Sequence, residues 1–388
     1  MSRAANLPAQ PFFSTPQQRL ALARQRYFED GVRPSGLVSE SVIQSWSRCV
    51  QERRDPFERV AFDPVTPSRV HSALARSRLL LEAAAADLDQ LEQTLAGTAC
   101  NAILTDAQGV VVHSTRSAGD PSDQVLLPLA RRVGVSLDEA HIGTGAPGVT
   151  LRTEQPSLVL GAEHFFGHMQ HLHCAAAPIR DVHGRVAAVL DLTSEWRPFG
   201  FDAGAVVSVY ATTIENRLLC AQSTEHLVVH LQTAPGLLGT PLEGLAGIDA
   251  HGRIAWVNGV AARLLALVLA PGETEHTVEN VFGLDANALA RLSRSEGAAA
   301  HRLPSGLKVW LEARLQARDG AARLHAASPA AAAPAPAALP TLRDNDNHLI
   351  ARTVRECGGN VSKAARRLGV SRGLVYRHLK QAGPNAGP

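Results

Sequence analysis

The run from Asn360 to Lys380 constrains this chain most. Asn-Val-Ser-Lys-Ala-Ala-Arg-Arg-Leu-Gly-Val-Ser-Arg-Gly-Leu-Val-Tyr-Arg-His-Leu-Lys reads as two short amphipathic helices joined by a tight turn, a helix-turn-helix. Asn360 is the N-cap, Val361, Ala364, Ala365 and Leu368 form an inward stripe, and Gly369 supplies the left-handed residue at the turn. Ser371 caps the second helix. On that helix Leu374, Val375 and Leu379 face inward, while Arg372, Gly373, Tyr376, Arg377 and Lys380 fall on the other side. A preceding helix carries Leu349, Ile350, Thr353, Val354 and Cys357 at helical spacing and stops at Gly358-Gly359. From residue 341 onward nine Lys/Arg stand against three acids, a net of +6 in a chain of net +2, so the remainder carries about −4. Basic charge concentrated on one small module points to nucleic acid. The candidate contacts are Ser371, Arg372, Gly373 and Tyr376 at base edges, with Lys363, Arg366, Arg367, Arg377 and Lys380 on phosphates.

The segment Leu349 to Lys380 resembles the Fis-type helix-turn-helix that ends many bacterial enhancer-binding regulators. Arg372 and Gly373 match that family's pattern, and Tyr376 and His378 stand where it often has basic residues. The resemblance implies a dimer on a palindromic site in double-stranded DNA.

With 388 residues, 45% of them hydrophobic, the chain has material for two or three cores. No window approaches 18 consecutive apolar residues and the N-terminus lacks a signal-peptide pattern, so a cytoplasmic protein without a membrane contact is expected. Cys49, Cys100, Cys174, Cys220 and Cys357 are odd in number, widely spaced and without a Cys-x-x-Cys, which indicates neither a disulfide framework nor a zinc ribbon. An Ala/Pro tract at 317–341 reads as a semi-stiff spacer. A weaker break, Thr-Ala-Pro-Gly-Leu-Leu-Gly-Thr-Pro, falls between about 222 and 240. The resulting division is a helical or signalling region at 14–96, a sensor-like domain at 97–221, a second domain at 240–316, the spacer, and the helix-turn-helix at 342–383.

The expected fold class is α+β, antiparallel sheets with flanking helices followed by an all-α three-helix module. Asn101 to Ser114 reads as strand, turn, strand, and Ala176 to Thr193 repeats the pattern. The Ala/Leu-rich stretch from Val70 to Leu95 is either a signalling or dimerisation helix or one packed on its own domain. Between the hairpins lie His141-Ile-Gly-Thr-Gly-Ala-Pro-Gly148 and Gly161-Ala-Glu-His-Phe-Phe-Gly-His-Met-Gln-His-Leu-His-Cys174. With the upstream Ser-Trp-Ser-Arg48 element, these resemble the GAF-containing N-terminal half of acetoin-catabolism-type regulators, over roughly residues 35 to 220. Gly145 and Ala175 stand where that family commonly has Asn and Ser. Three readings of the second motif stay open: a pocket for a small organic effector lined by Glu163, His164, Phe165 and Cys174; a metal centre from His164, His168, His171, His173 and Cys174; and a structural loop.

Residues 245 to 265 give strand, turn, strand and a helix started near Asn258, and a hairpin surrounds His301 to Ala313. This region resembles a PAS domain, read first as a packing and dimerisation unit and second as a ligand sensor. Enhancer-binding regulators of this type carry a central ATPase, yet no Gly-Lys dipeptide of a phosphate-binding loop occurs anywhere in the chain. No His-Glu-x-x-His pair or Gly-x-Gly-x-x-Gly loop after a strand appears either, and the Gly-x-Ser-x-Gly string Gly369 to Gly373 lies at the turn of the helix-turn-helix, not on a strand-to-helix elbow. The expectation is a non-enzymatic, ligand-responsive, sequence-specific DNA-binding regulator without a cofactor or metal, homodimeric, with RNA polymerase or an ATPase-bearing relative as possible partners. The alternatives are a GAF-fold redox or metal protein, or enzyme, using Cys174 and the His164–His173 cluster, and an accessory partner of an ATPase-bearing regulator.

Overall fold

The computed structural model describes residues 15–115, 124–224, 226–267, 276–294, 297–315, 353–354, 360–368, 370 and 372–373. The chain divides into two units, residues 1–322 and 323–388.

The first unit holds two antiparallel sheets. In the first sheet the strands β1 (Cys100–Asp106), β2 (Val111–Ser114), β3 (Ser157–Leu160), β4 (Leu172–Arg180) and β5 (Val186–Glu195) run in the order β2-β1-β5-β4-β3. Nearly every residue of β1, β4 and β5 is buried, as a sheet covered on both faces requires. Alternation sorts the two faces. Ile103, Val111, Cys174, Ala176 and Val189 enter one core, and Ala102, Leu104, Ala175, Ala177, Leu190 and Leu192 enter the other.

The second of these cores lies under α4 (Arg78–Leu95) and α8 (Ala203–Gln222), joined by an Arg217–Asp87 ion pair at 2.8 Å. The stretch read as one helix from Val70 is two, α3 (Pro67–Arg76) and α4, with the break at Ser77. Leu80, Ala84, Leu88, Leu91 and Leu95 spend their spacing on this domain's own core.

The first core lies under α1 (Pro16–Arg24), α2 (Glu40–Gln51), α5 (Leu127–Ala130), α6 (Glu139–Ile142) and α7 (Ala146–Thr153). Thr15 and Ser39 cap α1 and α2 through their hydroxyls. Buried Glu195, at the end of β5, accepts the amides of Val125, Leu126 and Leu127, holding the start of α5. Residues 14–96 therefore do not stand apart as a signalling region. Ala23, Val42, Trp46 and Cys49 are fully buried members of the first core, and the sequence division at 96/97 cuts through one packed body.

The second sheet follows α8. Its strands are β6 (Leu227–Gln232), β7 (Gly244–Ile248), β8 (Ile254–Val257), β9 (Ala299–Arg302) and β10 (Lys308–Leu315), in the order β8-β7-β6-β10-β9. β6 is the central strand, so the second domain begins before 240 and the weak break at 222–240 contains its middle. Helices α9 (Gly259–Leu265), α10 (Val278–Phe282) and α11 (Ala286–Leu292) belong to one face. That face buries Val229, Leu231, Phe282, Leu289 and Leu311. The other face presents Val228, Leu245 and Trp256 to Leu219 and Cys220 of α8. Gly247 has no alternative residue here, since a Cβ would stand 2.1 Å from the Trp256 indole nitrogen.

One polar joint ties α8 to this sheet. The Asn258 amide caps α9 through Ala261 N–H, takes the Leu245 N–H, and donates to the Glu243 carbonyl and to Asn216 Oδ1 of α8 at 2.8 Å. Asn216→Ala removes one acceptor from a buried donor, and a loss of about 1–2 kcal/mol is expected in chemical denaturation of the first unit. A change below a few tenths would show that Asn258 finds another partner.

In the second unit, α12 (Val361–Leu368) starts at the expected cap, where Asn360 Oδ1 accepts the Lys363 amide at 3.1 Å. Ala365 is buried, and Val370 N–H closes the end of the helix on the Ala365 carbonyl at 3.0 Å.

Candidate functional site

The Ser45-Trp-Ser-Arg48 element is the hinge pin of the first core. Trp46 is fully buried, and its Nε1–H donates to the Glu163 carbonyl at 2.7 Å. Arg48 grips Glu139 of α6 through Nε and a terminal nitrogen at 2.7 and 2.9 Å, and Ser45 donates to the same carboxylate. Arg24 reaches the carbonyls of Ala162, His164 and Phe165. Two side chains of the N-terminal helices, Trp46 and Arg24, thus fix the loop that the sequence singled out, while Ser45 and Arg48 hold α6. The glycine-rich segment Gly143 to Gly148 joins α6 and α7, where a Cβ on Gly148 would stand 2.8 Å from the Glu139 backbone nitrogen.

Behind this loop lies a cavity of about 20 Å³, lined by apolar side chains including Ile103, Ile142, Met169 and Leu172, and by His164, Cys174, Asp191 and Thr193. That volume suffices for about one water molecule. The four polar side chains meet because β4 and β5 pair in a register that sets Cys174 opposite Thr193 and Ala176 opposite Asp191. Asp191 and Thr193, two residues apart, share a face. Thr193 Oγ1 lies 2.5 Å from Asp191 Oδ2 and 3.3 Å from Cys174 Sγ, which lies 3.6 Å from His164 Nε2. His164 Nδ1 lies 3.0 Å from the Gly161 carbonyl. Asp191 Oδ1 is buried and has no hydrogen-bond partner.

Of the four effector candidates, His164 and Cys174 line this cavity. Glu163 does not; its carboxylate accepts the Leu160 amide at 2.8 Å. Phe165 turns into an aromatic cluster with Phe28 and Phe166. Asp191 and Thr193 were missed. The available signal was a polar pair at alternating positions directly after the apolar run Val186 to Leu190.

The histidines disperse. His168 accepts the Val60 amide, His171 stacks on Trp196 with ring centroids 3.6 Å apart, and His173 borders Phe199. Among the described residues no group of three or more His, Cys, Asp or Glu gathers to hold a metal. Burial, together with the nearby Asp191 carboxyl, pushes the Cys174 thiol well above its ordinary range. A protonated buried thiol is a poor nucleophile, which counts against the redox reading.

Burial lowers His164 to about 4 and raises Asp191 to about 7, the latter partly offset by the Thr193 hydroxyl. Their effects on stability have opposite signs. Between the ordinary aspartate value of 3.8 and about 7, the folded state keeps a proton that the unfolded chain has lost, so Asp191 costs stability as pH rises. Between 6.5 and about 4, the unfolded chain gains a proton that folded His164 refuses, so stability falls as pH drops. Asp191→Asn should therefore melt above the parent protein at pH 8, with the advantage shrinking toward pH 5. A pH-independent difference in melting temperature would contradict a buried, protonated Asp191.

At the DNA module, Lys363, Arg366, Arg367 and Arg372 are exposed, as is Gly373. Ser371, Tyr376, Arg377 and Lys380 lie outside the described residues, as do the 317–341 spacer and most of the second helix.

Residues 15–213, just over half of the chain, match the family model described as MimR, N-terminal domain. The chain belongs to this family. Residues 341–381 match a second model, bacterial regulatory protein, Fis family. The acetoin catabolism regulatory protein of Cupriavidus necator is 32% identical over 246 residues, covering 61% of this chain and 36% of that protein. The propane 2-monooxygenase operon transcriptional activator MimR of Mycolicibacterium goodii is 33% identical over 177 residues, 44% of this chain and 28% of that protein. The chain thus spans about a third of the length of the curated relatives it matches. Among solved structures, the crystal structure of the E. coli DhaR(N)-DhaL complex is similar at 16% identity and a TM-score of 0.44, over 71% of this chain and 99% of that one. The resemblance to acetoin-type, Fis-family regulators is thereby established, for a chain that carries the N-terminal domain and the DNA-binding module without the central ATPase. Among the described residues no helix is long and apolar enough to cross a membrane.

Proposed function

We propose that this protein is a cytoplasmic, ligand-responsive transcription regulator that binds a palindromic operator as a homodimer and does not hydrolyse ATP. The observation that carries this reading is an N-terminal domain with a buried, mostly apolar cavity that holds His164, Cys174, Asp191 and Thr193, in the same chain as a Fis-family DNA-binding module. The named relatives, a regulator of acetoin catabolism and an activator of a propane monooxygenase operon, support a small organic molecule as effector. Such a molecule would favour one arrangement of the dimer over another, changing how two tethered recognition helices meet their half-sites. Without the phosphate loop, regulation rests on occupancy of DNA or on contact with RNA polymerase.

Purified protein titrated onto an operator fragment, with and without small oxygenated metabolites, tests this directly. An affinity change of about tenfold, equivalent to 1.4 kcal/mol of coupling, is expected for the effector. No change with any compound, together with copurification of an ATPase-bearing relative, would favour the accessory-partner reading instead. The absence of the ATPase in a chain sharing both terminal modules with such regulators is the feature that keeps it in play.

A further inference from the structure

Trp196 follows β5 in a backbone conformation that bulky residues rarely adopt, at φ +68°. Its amide donates to the His171 carbonyl at 2.7 Å, and its indole stacks on the His171 ring, with centroids 3.6 Å apart and planes 25° from parallel. The residue nonetheless stays 48% exposed. A strained backbone therefore holds an aromatic face outward at a position where glycine would sit without cost. Trp196 borders an open groove of about 330 Å³, within the size of small-molecule sites. The groove shares no lining residue with the buried cavity behind the His164 loop. Val60, Val125 and Leu126 give it an apolar wall. Arg59 stands at the same groove, exposed, and its guanidinium makes no hydrogen bond or ion pair with any of the described residues.

The other charged and titratable groups of the lining already have tasks. The Glu195 carboxylate accepts the Val125, Leu126 and Leu127 amides. His168 Nε2 accepts the Val60 amide at 3.2 Å, and burial together with the Arg59 charge holds this histidine below its ordinary value, neutral at pH 7. Arg59 is thus the one uncommitted charge beside an exposed indole. We infer that this groove is a second binding site, for a planar aromatic monocarboxylate whose ring stacks on Trp196 and whose carboxylate pairs with the Arg59 guanidinium. The planar fork of arginine matches a carboxylate in two parallel hydrogen bonds, and an aromatic ring gains from offset stacking on the indole where a saturated ring does not. One negative charge balances one guanidinium. The second charge of a phosphate ester would face Glu195 without a partner. This site goes beyond the effector reading above and does not depend on it.

The experiment measures binding to the full chain by calorimetry, with benzoate as the probe and three comparison compounds that each change one feature: benzamide the charge, cyclohexanecarboxylate the aromatic ring, and phenyl phosphate the number of charges. Benzoate should bind about tenfold tighter than benzamide and phenyl phosphate, and about fivefold tighter than cyclohexanecarboxylate. Arg59→Ala should lose about tenfold for benzoate and leave benzamide within about twofold. Trp196→Phe keeps a stacking ring and should bind benzoate within about threefold of the parent, while Trp196→Gly should lose about fivefold or more. Because glycine suits the backbone at φ +68°, Trp196→Gly should melt within a few degrees of the parent, so its lost binding cannot be put down to unfolding. Benzamide, phenyl phosphate or cyclohexanecarboxylate binding as tightly as benzoate would overturn the inference, as would an Arg59→Ala variant that weakens benzoate and benzamide alike. So would the absence of benzoate binding, and a DNA-binding response to some other compound would then leave the regulator reading standing.

Discussion

Trp46→Ala should destabilise the first unit by about 3–5 kcal/mol, lowering its melting temperature by roughly 10 °C. The indole is fully buried and packs 5.3 Å from Tyr27 and 5.1 Å from Phe28, centroid to centroid. It also supplies the one hydrogen bond by which α2 holds the Glu163 carbonyl, immediately before His164. Truncation thus opens a void among the N-terminal helices and releases the loop that closes the cavity. Trp46→Phe restores most of the packing and loses only that bond, so about 1–2 kcal/mol is expected. Equal losses for the two variants would mean that the hydrogen bond dominates and the packing contributes little. A loss below 1 kcal/mol for the alanine would mean that the N-terminal helices do not share this core.

Arg372→Ala should cost about 1–3 kcal/mol on an operator at one base pair, with little effect on random DNA. Arg372 is exposed, two residues beyond the turn residue Val370, at the start of the second helix, where side chains of such modules reach base edges. Lys363, Arg366 and Arg367 belong to the first helix, whose place is across the phosphate backbone. Lys363→Ala should weaken all sequences alike and lower the slope of log affinity against log salt by about 1. Equal losses on operator and random DNA for Arg372→Ala would refute this division of roles.

What could be read from the sequence was local. The Asn360 cap of α12, the Asn258 cap of α9 and the hairpins at Asp106–Gly109 and Asp181–Gly184 depend on residues within a turn of one another. The central strand β6 escaped notice because Leu227 to Gln232 runs straight into the turn residues Thr233 to Pro241, and one of its two partners, β10, comes from the far end of the domain. The N-terminal helices read as a separate region because their contacts are remote in sequence, such as Arg24 with the His164 carbonyl and Arg48 with Glu139. At the cavity, His164 and Cys174 stood out through composition. Asp191 did not, because an acid in a largely apolar strand takes its meaning from the strand beside it, here from the β4–β5 register that puts Cys174 near it. Glu163 and Phe165 are adjacent to the site in sequence and point elsewhere, a distinction that only the single 3-10 turn Gly161–Glu163 makes.

The most direct test of a ligand-responsive DNA reader is binding of the purified full chain to genomic fragments, beginning with its own upstream region, across a salt series and with or without acetoin and related hydroxyl compounds. Tight binding to a few fragments, falling steeply as salt rises and shifted about tenfold by one of the compounds, is the expected result. Weak and equal binding to every fragment, unchanged by any compound, would contradict it.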